Sequence, residues 1–339
     1  MLLLFACSPS TVPLPPATPS AEDWEVLAVH PWAEVQRTEL GRVIWNLTPF
    51  HGHVFAGYGD WNDNTGPITL QGLTPEGTWS TGYEHLTEAA TVMRVINGEL
   101  WVPPIDPRFI APGDFAVGVP DGADVSFRRE RTLFDATHVL DVASDGTDLV
   151  ATGSVDLDAA LWKRSGDGAW EVFYTEPPAS GQFARFYGLG PVHEGLIFQR
   201  ADALGDDVPT ASLLREGEVE SLDFSLLPPG RSVVFRPTPF AGRLVYQTDS
   251  SFGRVESELY ATDGTSAEPV FDGAVRAFTV SGDLLYVLSG GAVHRSADLE
   301  AWEVMAEAPR GCWSLAVLEG LWCGSGRSEI HFLPTAEER

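Results

Sequence analysis

The chain has 339 residues and carries 48 acidic against 21 basic side chains, a formal net charge of −27. Nucleic acid and anionic membrane surfaces repel such a polyanion, so neither is expected as a main partner. With 34 Gly and 25 Pro it is too rich in turn formers for long helices, while 44% hydrophobic and 11% aromatic residues supply a large core and exclude disorder.

The chain opens Met1-Leu2-Leu3-Leu4-Phe5-Ala6-Cys7. Leu4-Phe5-Ala6-Cys7 resembles the lipobox of bacterial lipoproteins, Leu-x-(Ala/Gly)-Cys. The apolar stretch lacks a basic start and is shorter than the ~7–15 residues of a signal core, so the natural start codon is expected upstream. The resemblance implies a signal remnant at 1–6, a lipid on Cys7, and a place in the bacterial cell envelope, periplasmic or surface-exposed. Residues 7–20 hold five prolines and no charge, the composition of an extended linker. No run of 18 or more apolar residues follows, so any membrane contact is expected only through Cys7.

The folded domain is expected at 21–335. Its first element, Trp24-Glu25-Val26, recurs as Trp170-Glu171-Val172 and Trp302-Glu303-Val304, each with Pro seven residues after the Trp. Turn glycines at Gly77, Gly122, Gly168, Gly217 and Gly264 lie 45, 46, 49 and 47 residues apart. That period, with four short strands per unit, is the pattern of β-propeller blades. Pairs of apolar strands around a tight turn, such as Asn97-Gly98, open seven units near Ile44, Val92, His138, Phe186, Phe235, Ala277 and Trp313. The last unit is short and lacks a Trp-Glu-Val strand. The Trp24 strand is therefore expected to complete it, closing an all-β, seven-bladed ring and removing two sheet edges. Unequal unit lengths leave six or eight blades open.

Two repeats follow Ser-x-Asp turns: Ser165, Asp167 and Trp170, then Ser296, Asp298 and Trp302. These resemble the Asp-box, or BNR, repeat Ser-x-Asp-x-Gly-x-x-Trp of sialidase-like β-propellers. The resemblance implies that the Asp caps a turn between the two outer strands and the Trp packs between sheets. It also implies an arginine set for a carboxylated sugar, although the text nearest to the family's early Arg-Ile-Pro or Arg-Leu-Pro motif, Phe235-Arg236-Pro237, lacks the middle residue and sits in the fifth unit. Tyr260 with Glu258 or Glu256 is the nearest pairing to the family's nucleophile, in an expected third strand away from the channel.

The first unit continues into His51-Gly52-His53, read as a hairpin turn, and a polar loop with Tyr58, Asp60, Trp61, Asn62 and Asn64. Aromatics beside amides suit a sugar or protein partner. Asp60, Asn62 and Asn64 at spacing two also form a weak calcium candidate, with Gln71 where an EF-hand has Glu. The second unit adds Pro103-Pro104-Ile105-Asp106-Pro107-Arg108, with Asp106 and Arg108 as candidates; the third adds the 153–158 loop. All follow second strands, so they should share one end of the ring. Arg94, Arg185, Arg236 and Arg276, with His138, fall on innermost strands and are candidates for an anionic ligand.

Cys312 and Cys323 stand in the last unit. If Glu319-Gly320 turns the hairpin, Cys323 faces Ala316 and lies roughly 13 Å from Cys312. The register thus argues against the disulfide that an oxidising compartment permits. No P-loop, HExxH, CxxC pair, GxSxG or nucleotide-binding GxGxxG occurs. The expected role is an envelope-anchored module binding a glycan or a protein partner, with no catalytic residue or cofactor assigned. A glycan hydrolase and a structural subunit of an envelope assembly are the alternatives.

Overall fold

The computed structural model describes residues 18–334 apart from 107–112, 134, 180–181, 194, 203–209, 232 and 250–255. Segment 1–6, Cys7, most of the 7–20 linker and Arg108 lie outside the described residues. The strands form seven blades around one axis, with one additional strand pair beside blade 1. Each opening read from the sequence is an innermost strand: Asn46–Phe50, Arg94–Ile96, Ala136–Ser144, Ala184–Val192, Val233–Phe240, Val275–Ser281 and Cys312–Val317, for blades 1 to 7. Gly122, Gly168, Gly217 and Gly264 sit between third and fourth strands, and Gly77 follows the third strand of the three-stranded blade 1. In blade 2, for example, Gly122 (φ +64°) turns Gly113–Asp121 into Asp124–Leu133.

The chain ends close the ring. Glu25–Val29 pairs antiparallel with Glu329–Pro334 and becomes the outer strand of blade 7. Trp24 is buried, and its indole N–H donates to the Glu307 carbonyl of blade 6 at 2.7 Å. The chain then makes one helical turn, Pro31–Glu34, capped by His30, whose Nδ1 accepts from Ala33 N. Burial holds the His30 pKa down to about 3, so its ring packs as a neutral group against Tyr58 and Trp79.

Tryptophans fill the seams between blades. Trp101, Trp162 and Trp322 are fully buried. Trp170 stacks on Phe115 at 5.3 Å, and Trp302 meets Phe271 edge-on at 4.8 Å. The two Ser-x-Asp turns differ. Asp298 accepts from Glu300 N and Ala301 N, both at 2.9 Å, and so caps its turn. The Asp167 side chain is fully exposed, and its turn is closed by Gly168 N donating to the Ser165 carbonyl.

Around the axis the strands crowd, and the innermost strands of blades 3 to 7 each carry a bulge. A bulge adds one residue, bends the strand and frees ladder groups for other partners. Gly188 takes φ +54° inside the blade 4 bulge, where a Cβ would fall 2.6 Å from the Val234 carbonyl oxygen. The blade 5 bulge holds Arg236 at φ +54°, beside Pro237, which donates nothing to the ladder. In blade 7 the turn, with Val317 opposite Leu321, and the bulge between Cys312 and Ser314 together overturn the cysteine expectation. Cys323 faces Leu315, not Ala316, and the extra residue Trp313 brings the Cys312 and Cys323 Cα atoms to 5.7 Å. The two form a disulfide. Among the described residues no helix is long and apolar enough to cross a membrane.

Candidate functional site

The groups freed by the bulges are tied across the axis. Arg94 of blade 2 donates from Nε and Nη2 to both oxygens of Asp141 in blade 3, at 2.8 and 2.7 Å. Its Nη1 donates to the Pro237 carbonyl of blade 5 at 2.9 Å. Asp141 also accepts from Leu189 N in the blade 4 bulge at 3.1 Å and from Val142 N at 2.9 Å. Arg236 completes the set by donating to the Trp45 carbonyl of blade 1. Five blades are thereby joined inside the ring. On one side of these bonds lies an open mouth of about 680 Å³ edged by Asn46, Asn97 and Ser144; on the other lies a chamber of about 220 Å³.

The chamber assembles residues scattered along the chain. Loops after the second strands of blades 1 and 2 bring Trp61, Asn62 and Asp106 to its wall. The innermost strands of blades 3, 4 and 5 supply His138, Arg185 and Arg236. The expectation that these loops share one end of the ring therefore holds for blades 1 and 2, and that end is also where the innermost strands begin. Gly153 lets the second strand of blade 3 approach His138: a Cβ there would lie 1.9 Å from the His138 carbonyl oxygen.

The loop carrying Trp61 is fastened by Asp60. That buried carboxylate accepts from Asn62 N and Thr38 Oγ1, both at 3.1 Å, while Asp60 N donates to Thr65 Oγ1 at 2.8 Å. Arg37 donates to the carbonyls of Asp63 and Asn64 from outside. Trp61 itself is half-buried, 6.2 Å from the Trp45 ring, which in turn meets Trp313 edge-on. Asn62 is exposed.

Chamber electrostatics centre on Arg185. Its Nη1 donates to Tyr187 Oη at 3.2 Å and its Nη2 lies 3.0 Å from His138 Nε2. A guanidinium only donates, so Nε2 must accept, and the proton of this histidine sits on Nδ1, donated to Ser154 Oγ at 3.0 Å. Burial first, and the Arg185 charge second, hold the His138 pKa down to about 3. The imidazole is neutral, and its 3.8 Å approach to Asp106 is not an ion pair. Burial pushes the Asp106 carboxyl above its ordinary range, against the pull of Arg185. Asp106 also shares a side-chain hydrogen bond with buried Glu88.

Several candidates lie elsewhere. Tyr58 is fully buried, its hydroxyl accepting from Thr69 N at 2.8 Å, so it serves the core rather than an exposed contact. Arg94 is committed to Asp141. Arg276 lies over the Trp313 ring at 4.1 Å and pairs with Glu256. Among the described residues, Arg185 and Arg236 are the arginines that line the chamber. His51 and Gly52 form the expected turn, with His51 Nε2 against the Gly122 carbonyl. Tyr260 lies in a third strand, stacked on Tyr246, and Glu258 pairs with Arg231, as expected away from the axis. Asp141, Tyr187 and Glu88 were not singled out from the sequence. The one available signal was the charge of Asp141 inside the apolar run Val139-Leu140-Asp141-Val142.

No family model matches the chain, and no curated protein matches it. Solved structures do. The WD40 domain of Neurospora crassa Pan2 superposes with TM-score 0.57 at 10% identity, covering 94% of this chain and 97% of that one. A GH74 xyloglucanase from Xanthomonas campestris gives 0.54 at 13% identity, covering 93% of this chain and 55% of that one. The β-propeller domain of the trilobed protease from Pyrococcus furiosus gives 0.52 at 13% identity, covering 84% and 93%. At these identities the likeness establishes the propeller fold alone.

Proposed function

We propose that this propeller is a binding module whose ligand, a glycan or a protein partner, is received at the end of the ring that carries the small chamber. The observation that carries the reading is the convergence of half-buried Trp61 and exposed Asn62 with Arg185, His138 and Asp106 on one cavity wall. An apolar ring at the rim with a few fixed polar groups behind it is the usual make-up of a recognition pocket. The test is capture of a pooled set of neutral, sialylated and uronate-bearing oligosaccharides, read by mass spectrometry of bound and free fractions. Trp61→Ala is expected to lower capture at least about tenfold, the size of a lost aromatic anchor. Capture unchanged in Trp61→Ala would sink the placement of the site.

The second reading is a glycan hydrolase, favoured by the hydrogen-bonded carboxyls of Asp106 and Glu88 beside the arginines. Shortened oligosaccharides in the same experiment, absent with Asp106→Asn, would select it. The reading includes a lipid anchor on Cys7 that holds the ring at the cell envelope. The disulfide of Cys312 with Cys323 supports an oxidising compartment, and the net charge of −27 supports a partner other than nucleic acid. Cys7→Ser is expected to move the protein from the membrane fraction to the soluble fraction; an unchanged distribution would remove the anchor.

A further inference from the structure

Arginines elsewhere in the ring, such as Arg94, Arg164 and Arg231, pair directly with carboxylates. Arg185 does not. The described hydrogen bonds engage two of its five N–H groups, and both acceptors, Tyr187 Oη and His138 Nε2, are neutral. Its Nε is buried without a hydrogen-bond partner. In a chain with 48 acidic residues, a guanidinium facing a cavity and bonded only to neutral groups is a retained positive charge. Of the two acidic groups on that wall, Asp141 is held by Arg94, while Asp106 acts on Arg185 through its field and is itself hydrogen-bonded to Glu88.

We propose that the chamber takes the carboxylate of a ligand onto Arg185, in exchange for the field of Asp106, the chain's own competing carboxylate. This rests on the binding reading above and specifies its ligand. The space of about 220 Å³ admits one terminal residue of a ligand, not a whole oligosaccharide. The carboxylate reaches the guanidinium edge, and the body of the residue lies toward Trp61 at the rim. Two sources present this chemistry at a chain end: a uronate sugar and a peptide C-terminus.

The exchange makes binding depend on pH. The groups around Asp106 are Glu88 behind it, His138 on blade 3, Arg185 and Tyr187 on blade 4, and Arg236 on blade 5; Asp141 deeper in the wall is bound to Arg94. His138 stays neutral until about pH 3. Burial raises the Asp106 pKa, so on acidification Asp106 takes up a proton before an ordinary ligand carboxylate does. Affinity therefore rises as pH falls through the Asp106 pKa, then falls once the ligand carboxyl is itself protonated.

The experiment is a 15N NMR titration of the folded protein, following the Arg185 Nε–H signal assigned by its loss in Arg185→Lys. The probes are D-glucuronate against glucose, and an acetylated dipeptide acid against its amide. One acid, and not its neutral partner, is expected to shift the signal to saturation, and which acid does so identifies the source. Arg185→Lys keeps the charge but not the planar fork, and is expected to weaken that acid at least about tenfold. Asp106→Asn is expected to tighten it about tenfold at neutral pH and to flatten the pH profile, a gain that a misfolded variant does not produce. Equal binding of acid and neutral probes, no shift with either acid at tens of millimolar, or weaker binding in Asp106→Asn would each overturn the proposal. Glycan capture that needs Trp61 but ignores Arg185→Lys would overturn it while leaving the binding reading in place.

Discussion

Replacing Asp141 with alanine is expected to remove about 3–5 kcal/mol of folding stability, the cost of leaving a buried charge without its partner. The Asp141 side chain is 2% exposed, and the Arg94 guanidinium that it holds is 16% exposed, so water replaces little of what is lost. The same change strips the acceptor from Leu189 N in the blade 4 bulge. Chemical denaturation of the wild type and Asp141→Ala measures the difference. A double variant, Arg94→Met with Asp141→Leu, is expected to recover most of the loss, because replacing both charges removes the desolvation penalty along with the attraction. A loss below about 1 kcal/mol in Asp141→Ala would mean that the bonds across the axis are incidental to stability.

Deleting residues 1–29 is expected to abolish a single cooperative thermal transition and to produce oligomers or aggregates. The deletion removes the strand paired with Glu329–Pro334 and leaves that strand as an open, apolar sheet edge. It also removes Trp24, which is 8% exposed and bonded to blade 6. The milder Trp24→Ala isolates the packing part and is expected to cost about 3–5 kcal/mol while leaving the protein monomeric. Light scattering and calorimetry separate the two variants. A truncated protein that stays monomeric and melts like the wild type would show that the ring holds without its closing strand. A synthetic peptide spanning residues 18–34 is expected to restore the melt, since it supplies the same edge.

The blades were legible because their markers are local. Asn97-Gly98 and Gly122 must adopt left-handed backbone wherever they fall, and Trp170 and Trp302 recur at a fixed distance from their turns. The shared end of the loops at Trp61 and Asp106 was legible for a similar reason, since strand direction alternates within every blade. The wiring across the axis was not. Bulges shift the register by one residue, and that shift decides that Leu189 N meets Asp141 and, together with the turn in blade 7, that Cys323 meets Cys312. Tyr58 looked like a loop aromatic, yet Thr69, eleven residues on, satisfies its hydroxyl and lets it enter the core. Asp167 and Asp298 occupy equivalent motif positions, but only Asp298 turns its carboxylate onto its own backbone. None of these outcomes depends on residue type alone; each depends on which backbone group stands opposite.

The antiparallel pairing of Glu25–Val29 with Glu329–Pro334 has a mechanical consequence. The start of the first strand faces the later part of the second, with Glu25 opposite Phe332. Tension between the chain entering the first strand and the chain leaving the second loads these hydrogen bonds one after another, as in peeling, rather than together, as in shear. The seam joining the ring therefore yields at low force. The disulfide, which spans the two inner strands of the same blade, does not bridge the seam and adds nothing to its tensile strength. Resistance falls instead to Trp24, seated against blade 6 ahead of the seam, which acts as the latch that any pull must first withdraw.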